Sequence, residues 1–144
     1  MRIGNSSNST FPRSKNFFYN GILSLMMKIL VIDDNIENTT MLSNFFRAKD
    51  FSTIISNNPQ QGQILIREEK FDVILLNVSL HITGGIGVIE LLASDDILKN
   101  QNIFIFSGED IPDIQVKNFL RRDGVNGFLK KPIVLDELLT VITK

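Results

Sequence analysis

The stretch Phe71-Asp72-Val73-Ile74-Leu75-Leu76-Asn77 predicts a short strand that is buried on both faces. Its four central residues are all apolar, without the polar alternation of a half-exposed strand. Similar runs, rich in Ile, Val and Phe, lie at residues 29–32, 53–55, 103–106 and 127–129. The chain therefore contains five candidate strands.

Helical periodicity fills the segments between these runs. Asn58 and Pro59 resemble an N-cap followed by proline at the first helical position, and a fourth helix is predicted to begin near Pro112 and to stop by Gly124. The residues predicted to face the core are, helix by helix, Met41, Leu42, Phe45 and Phe46; Ile64 and Leu65; Val88, Ile89, Leu91 and Leu92; Val116, Phe119 and Leu120; Leu135, Leu138, Leu139 and Ile142. Five strands that alternate with five helices predict an α/β fold, with a doubly wound parallel sheet and helices on both faces.

Polar side chains stand where four of these strands end. Asp33 and Asp34 follow the first, Asn77 closes the third, Ser107 closes the fourth and Lys131 follows the fifth. Function in such sheets lies at the carboxyl ends of the strands. We therefore expect two acids, an amide, a hydroxyl and an ammonium group to form the functional site.

Composition narrows the classes of function. The 144 residues suffice for one domain with a full core. The chain has 15 basic and 16 acidic residues, so its net charge favours neither nucleic acid nor an anionic membrane as a partner. Cysteine is absent, which excludes disulfides and thiolate metal sites and suits a cytoplasmic location. The single histidine, His81, cannot form a multi-histidine zinc site.

Residues 1–27 differ from the rest of the chain. A polar, asparagine- and serine-rich stretch is followed by Arg13, Lys15 and an apolar part at residues 17–27. This part is shorter than the roughly 20 residues that span a bilayer, and it is only weakly similar to a signal sequence. We predict a loosely ordered N-terminal extension at residues 1–27, no membrane segment, and one domain at residues 28–144.

Residues 28–144 resemble the CheY-like receiver domain of two-component response regulators. The resemblance is carried, in order and at receiver-like spacing, by residues 29–34, 72–77, 107–108 and 124–132. It implies a flavodoxin-like strand order, 2-1-3-4-5.

The resemblance also implies a magnesium site. Asp33 and Asp34 correspond to the acidic pocket of receivers, with Asp34 as a direct ligand, and Mg²⁺ favours such oxygen ligands. Asn77 and the backbone carbonyl of Ser79 correspond to the other protein ligands.

Roles in phosphoryl transfer follow from the same resemblance. Asn77 stands where receivers have the aspartate that attacks phosphorus. Ser107 would donate a hydrogen bond to the phosphoryl group, and Lys131 would neutralise it, with a cis bond to Pro132. Phe128 occupies the aromatic switch position.

Asn77 departs from the family at the decisive atom. A carboxylate forms an acyl phosphate, whereas an amide oxygen is neutral and its lone pair is delocalised towards nitrogen. We predict a weak or vestigial Mg²⁺ site, no phosphorylation, and a direct pair between Lys131 and Asp33 or Asp34. The plainer interpretation is a polar cap on the sheet.

His81 and Ile82 are a second departure, because receivers commonly have proline and glycine there. Gly85 still matches the loop glycine of the family, and the run at residues 84–87 is predicted to be a flexible loop because it lacks the pattern of a nucleotide-binding motif. Val134 stands where a small polar residue often caps the last helix.

The leading functional hypothesis is a stand-alone, phosphorylation-independent pseudo-receiver, not an enzyme, since no output domain follows the fifth helix before Lys144. Its partner would be a histidine kinase, a phosphotransferase or a downstream effector. The fourth helix, fifth strand and fifth helix would form the partner or homodimer face, including Arg121, Arg122, Lys130 and the turn at Phe128. The alternative interpretation is that these charged side chains belong to an ordinary solvated surface and contact no partner.

Two other hypotheses remain open. Asn77 could be an engineered replacement in a conventional phosphoacceptor receiver. A magnesium-dependent phosphatase is disfavoured, because those enzymes use an Asp-x-Asp pattern and Asn35 occupies the position of the second acid.

Overall fold

The computed structural model describes residues 27–79 and 84–143. The strands in this part of the chain are β1 (Lys28–Ile32), β2 (Ser52–Ser56), β3 (Val73–Asn77), β4 (Ile103–Ser107) and β5 (Val125–Lys130). The helices are α1 (Ile36–Ala48), α2 (Pro59–Glu68), α3 (Gly85–Ser94), α4 (Asp113–Leu120) and α5 (Leu135–Ile142), with a short 3₁₀ helix at Leu98–Asn100. The predicted alternation of strands and helices is therefore confirmed.

The five strands form one parallel sheet in the order β2-β1-β3-β4-β5. Apolar residues lie opposite one another in the central strand pairs, Leu30 opposite Ile74 and Ile74 opposite Ile103. Strand order 2-1-3-4-5 and the flavodoxin-like architecture are as predicted.

The sheet separates two hydrophobic clusters. Side chains of β1 alternate between them, with Leu30 and Ile32 in one cluster and Ile29 and Val31 in the other. The first cluster includes buried residues of α2, α3 and α4, and the second those of α1 and α5. Helices therefore cover both faces, which explains why the strands have no polar alternation.

Several helical faces were predicted wrongly. Met41, Ile64, Leu91 and Leu120 are exposed, although the apolar pattern assigned them to the core. In α2 the buried residues are Gly62 and Ile66, one turn apart. Ile64 lies about 200° around the helix from Gly62, so it points to the opposite side. A helix presents only a narrow stripe to a sheet, and apolar residues beside that stripe remain in solvent.

Asparagine side chains cap two of the helices, Asn58 as predicted and Asn35 at a position where no cap was predicted. Asn58 accepts a hydrogen bond from the backbone of Gln61 at 3.0 Å, and Pro59 is the first residue of α2. Asn35 does the same for α1, accepting from the backbone of Asn38 at 2.9 Å. The start of α3 differs from the prediction, because the helix includes residues 85–87 of the glycine-rich run.

Helix α5 lacks such a cap, and this permits a first test. Val134 occupies the N-cap position, is 55% exposed and makes no capping hydrogen bond. We expect Val134→Ser to raise the free energy of unfolding by about 1 kcal/mol, because the hydroxyl can accept from an otherwise unpaired N–H of the first turn. Urea denaturation measures the change. Val134→Ala is the control without an acceptor, and an equal gain from both substitutions would contradict the capping explanation.

No helix in the described part of the chain is both long and apolar enough to cross a membrane. Residues 1–26, which make up nearly all of the predicted extension, together with His81 and Ile82, lie outside the described residues. The division at residue 27 remains a prediction.

Candidate functional site

The candidate site lies at the edge of the sheet where the parallel strands end. Backbone hydrogen bonds join neighbouring strand ends, from the N–H of Val78 to the carbonyl of Phe106 at 2.8 Å and from the N–H of Lys131 to the carbonyl of Ser107 at 2.9 Å. The N–H of Asp33 donates to the carbonyl of Ser56 at 3.0 Å. The residues that follow β1, β3, β4 and β5 are thus held at one edge.

Asp33 is the most deeply buried charge at this edge, with a side chain that is 0% exposed. One carboxylate oxygen, Oδ1, accepts a hydrogen bond from the backbone of Asn35 at 3.0 Å. The other, Oδ2, accepts from Asn38 Nδ2 at 2.7 Å and from Lys131 Nζ at 3.1 Å. Both oxygens of this buried carboxylate are therefore engaged, and its charge is balanced by an ammonium group.

Lys131 reaches Asp33 across 98 positions of sequence. Its side chain is 22% exposed, and its Nζ lies 5.2 Å from the centre of the Phe106 ring, a cation–π arrangement. The peptide bond between Lys131 and Pro132 is cis. Of the two acids that the sequence offered as partners for Lys131, the structure pairs it with Asp33.

Asp34 and Asn77 are placed differently from Asp33. Asp34 is exposed, and its carboxylate has no hydrogen-bond or ion-pair partner among residues 27–79 and 84–143. Asn77 is half-buried at the end of β3, and its side-chain amide is also unpaired within that part of the chain. Ser79 follows two residues later and is half-buried.

Helix α3 begins directly against the end of β3. A Cβ atom at Gly85 would lie 2.1 Å from the backbone oxygen of Asn77, closer than any side chain permits. A glycine is therefore required for α3 to start beside Asn77. This close approach, rather than loop flexibility, accounts for the glycine that matches the receiver pattern.

Ser107 is fully buried and is engaged within its own turn, where its Oγ accepts a hydrogen bond from the backbone of Glu109 at 3.0 Å. Its hydroxyl proton has no acceptor among the residues that the structure describes. Phe128 is half-buried on β5 and packs against the cluster that contains α3 and α4.

Two of the three basic residues assigned to a partner face have internal partners. Arg122 Nη2 contacts both carboxylate oxygens of Glu90 at 2.9 and 3.0 Å, and Lys130 pairs with Asp110. The hydrogen bond and the charge of Lys130 lower the pKa of the Asp110 carboxyl. Arg121 is exposed and has no side-chain partner in the described part of the chain.

Two asparagines at the site were not predicted from the sequence. Asn38 donates to Asp33, and Asn57 Nδ2 donates to the backbone oxygen of Asp33 at 2.8 Å and to Thr39 Oγ1 at 2.9 Å. Asn38 lies three residues after the N-cap Asn35, which is the spacing of a capping box. This spacing is a sequence signal that could have identified Asn38. No local signal identifies Asn57.

The fit of a magnesium ion can be judged from these contacts. Mg²⁺ requires oxygen lone pairs in near-ideal octahedral geometry. The carboxylate of Asp33 already accepts three hydrogen bonds. Asn77 is neutral, and of the two acids that follow β1 only Asp34 has a carboxylate without a partner among the described residues. The same residues contain no group of three or more His, Cys, Asp or Glu side chains that could hold a metal ion. As arranged, the site does not fit Mg²⁺ well.

Comparison with known proteins agrees with the observed fold. A family model described as the response regulator receiver domain matches residues 29–143. The polar-differentiation response regulator DivK of Brucella anthropi is 25% identical over 122 residues, which cover 79% of this chain and 91% of DivK. The cell cycle transcriptional regulator CtrA of Caulobacter vibrioides is 28% identical over 116 residues, which cover 81% of this chain but only 48% of CtrA.

A solved structure shows the same architecture. The chemotaxis protein CheY4 of Vibrio cholerae superposes with a TM-score of 0.70 at 22% identity, covering 82% of this chain and 97% of CheY4. The family match spans most of the sequence, and the strand order is that of a CheY-like domain. The chain therefore belongs to the response regulator receiver domains of two-component systems.

Proposed function

We propose that this receiver domain is a phosphorylation-independent pseudo-receiver that signals through contact with another protein. The observation that carries the proposal is an amide, Asn77, at the end of β3. Acceptance of a phosphoryl group there requires a nucleophilic oxygen. The amide oxygen of Asn77 has neither the charge nor the free lone pair of a carboxylate, so no acyl phosphate forms.

The charge balance at the site supports the same proposal. In a partly buried site, an acid without a counter-charge is costly. Here Lys131 balances the charge of Asp33 directly, so the counter-charge of this buried acid is supplied by the chain itself. Any magnesium site built on Asp34 and Asn77 would be weak, and the protein needs no cofactor in this proposal.

Receiver domains act with histidine kinases, phosphotransferases or downstream effectors, and we assign this chain a partner of that kind. The proposed contact face comprises α4, β5 and α5. Ile114 and Lys117 of α4 and its C-cap residue Arg121 are exposed. They follow one another at spacings of three and four residues, so they share one side of the helix. A homodimer through the same face, and a cytoplasmic location, are part of the proposal.

The proposal is tested by intact-mass analysis after incubation with acetyl phosphate and Mg²⁺. We expect no mass gain for the chain as it stands and a gain of one phosphoryl group for Asn77→Asp, because that substitution restores the nucleophilic carboxylate. Asn44→Asp is the matched control, since it adds the same group on the exposed surface of α1.

Phosphorylation of the unmodified chain would refute the pseudo-receiver outright. The mass gain expected for Asn77→Asp shows that Ser107, Lys131 and the acids remain competent. That gain agrees both with a natural asparagine and with the alternative of a conventional phosphoacceptor in which aspartate was replaced. The encoding gene then decides whether the asparagine is natural.

A further inference from the structure

The carboxylate of Asp33 accepts three hydrogen bonds, which occupy three of its roughly four lone-pair sites and both sites of Oδ2. Oδ2 receives the ammonium of Lys131 and the amide of Asn38, and Oδ1 receives the backbone of Asn35. A divalent ion that bound at Oδ2 would have to displace the ammonium of Lys131 or the amide of Asn38. The donors belong to residues 35, 38 and 131 of this chain.

We propose that Lys131 and Asn38 together take the place of a divalent cation at Asp33, and that they keep Mg²⁺ out of the site. The inference rests on the proposed function, because a domain that is not phosphorylated has no need for the ion. Lys131 supplies the positive charge, and Asn38 supplies the second donor at the same oxygen.

Asn38 is suited to this role by its position. It lies in the first turn of α1, and its own backbone N–H is held by the cap Asn35 at 2.9 Å. The 2.7 Å bond from Nδ2 is the shortest of the three that Asp33 accepts. Because the backbone of Asn38 is fixed by the helix and by its bond to Asn35, its side chain binds Asp33 with little loss of conformational entropy.

The same residues join four elements of the fold. Asp33 follows β1, Lys131 follows β5, and Asn38 belongs to α1. Asn57, just after β2, donates to the backbone of Asp33 and to Thr39 of α1. These hydrogen bonds and the Lys131–Asp33 pair therefore hold the ends of β1, β2 and β5 and helix α1 in one arrangement. In that arrangement we expect the partner face to be ready for binding without phosphorylation.

The test is a titration with MgCl₂ that follows backbone amide chemical shifts of residues 33–38 by ¹H–¹⁵N NMR. We expect Lys131→Met to lower the Kd for Mg²⁺ roughly 10- to 100-fold relative to the unmodified chain, the range seen when groups around a metal ligand are changed. Asn38→Ala removes a dipole rather than a charge, so its effect should have the same direction and be smaller.

Matched controls separate local effects from overall charge. Lys70→Met removes the same charge from the exposed loop before β3, and Asn44→Ala removes the same amide from an exposed position of α1. Neither should change the Kd. Asn38→Ala also guards against failure of Lys131→Met to fold, since alanine favours the helix at that position.

The inference is overturned if the unmodified chain binds Mg²⁺ as tightly as Asn38→Ala and Lys131→Met do. Such a result leaves the proposed function intact, because every variant retains Asn77 and no phosphodonor is present. Conversely, phosphorylation of the unmodified chain would end the proposed function, and the titration would still report which groups control access of the ion to Asp33.

Discussion

Replacing Lys131 by methionine is expected to lower the free energy of unfolding by about 2 to 3 kcal/mol. Removing one partner of a buried ion pair leaves an uncompensated charge and typically costs about 3 to 5 kcal/mol. We expect a smaller loss than this because Lys131 is 22% exposed and because Asp33 keeps its hydrogen bonds from Asn35 and Asn38. Methionine preserves most of the apolar stem of lysine, so the loss of stability reports mainly the ammonium group.

A double-mutant cycle with Asp33→Asn isolates the interaction. Once the carboxylate is neutral, loss of Lys131 should matter much less, and the double variant should be more stable than the sum of the two single changes predicts. Urea denaturation of the four proteins provides the comparison, with Lys70→Met as the charge control. Strict additivity of the two substitutions would show that the 3.1 Å contact contributes no coupling energy.

Replacing Gly124 by alanine is expected to cost about 3 kcal/mol or more. Gly124 has φ +99°, a conformation that side chains disfavour by about 1 to 2 kcal/mol. An added Cβ would also lie 1.8 Å from the backbone oxygen of Leu98, and forcing a group into packed structure typically costs about 1 to 3 kcal/mol more. The carbonyl belongs to the short 3₁₀ helix and cannot rotate away as a side chain would.

Gly108→Ala is the control for this substitution. Within the described part of the chain, its Cβ would meet only the flexible side chain of Lys131, at 3.4 Å. We expect a small change in urea denaturation for Gly108→Ala and a large one for Gly124→Ala. A loss below about 1 kcal/mol at Gly124 would mean that the turn before β5 adjusts, contrary to the close contact described here.

Much of the fold could be predicted because its signals are local. Uninterrupted runs such as Val73-Ile74-Leu75-Leu76 indicate strands covered on both faces, and asparagine followed by proline indicates a helix start. Strand order required the resemblance to receivers, since the apolar runs do not state which strand lies beside which. Gly124 was interpreted as a helix stop, but α4 ends at Leu120, and the glycine serves the turn into β5.

Helix orientation was predicted less well. Ile64 and Leu91 match an apolar pattern but are exposed to solvent. Packing against the neighbouring elements determines which side of each helix contacts the sheet. For α2 that side contains Gly62 and Ile66, and a glycine carries no hydrophobic signal of its own. Periodicity alone therefore located the helix but not its buried side.

At the candidate site, the sequence by itself determined which chemical groups are present: Asp33, Asp34, Asn77, Ser107 and Lys131, each at the end of an apolar run, with an amide where receivers have a carboxylate. Only the tertiary structure decided that Lys131 pairs with Asp33 rather than Asp34, and that Asn38 and Asn57 join them. The physical reason is that the chemical identity of each residue is given by the sequence, whereas these hydrogen bonds connect positions as far as 98 residues apart. They form only when the folded sheet brings the ends of its parallel strands together.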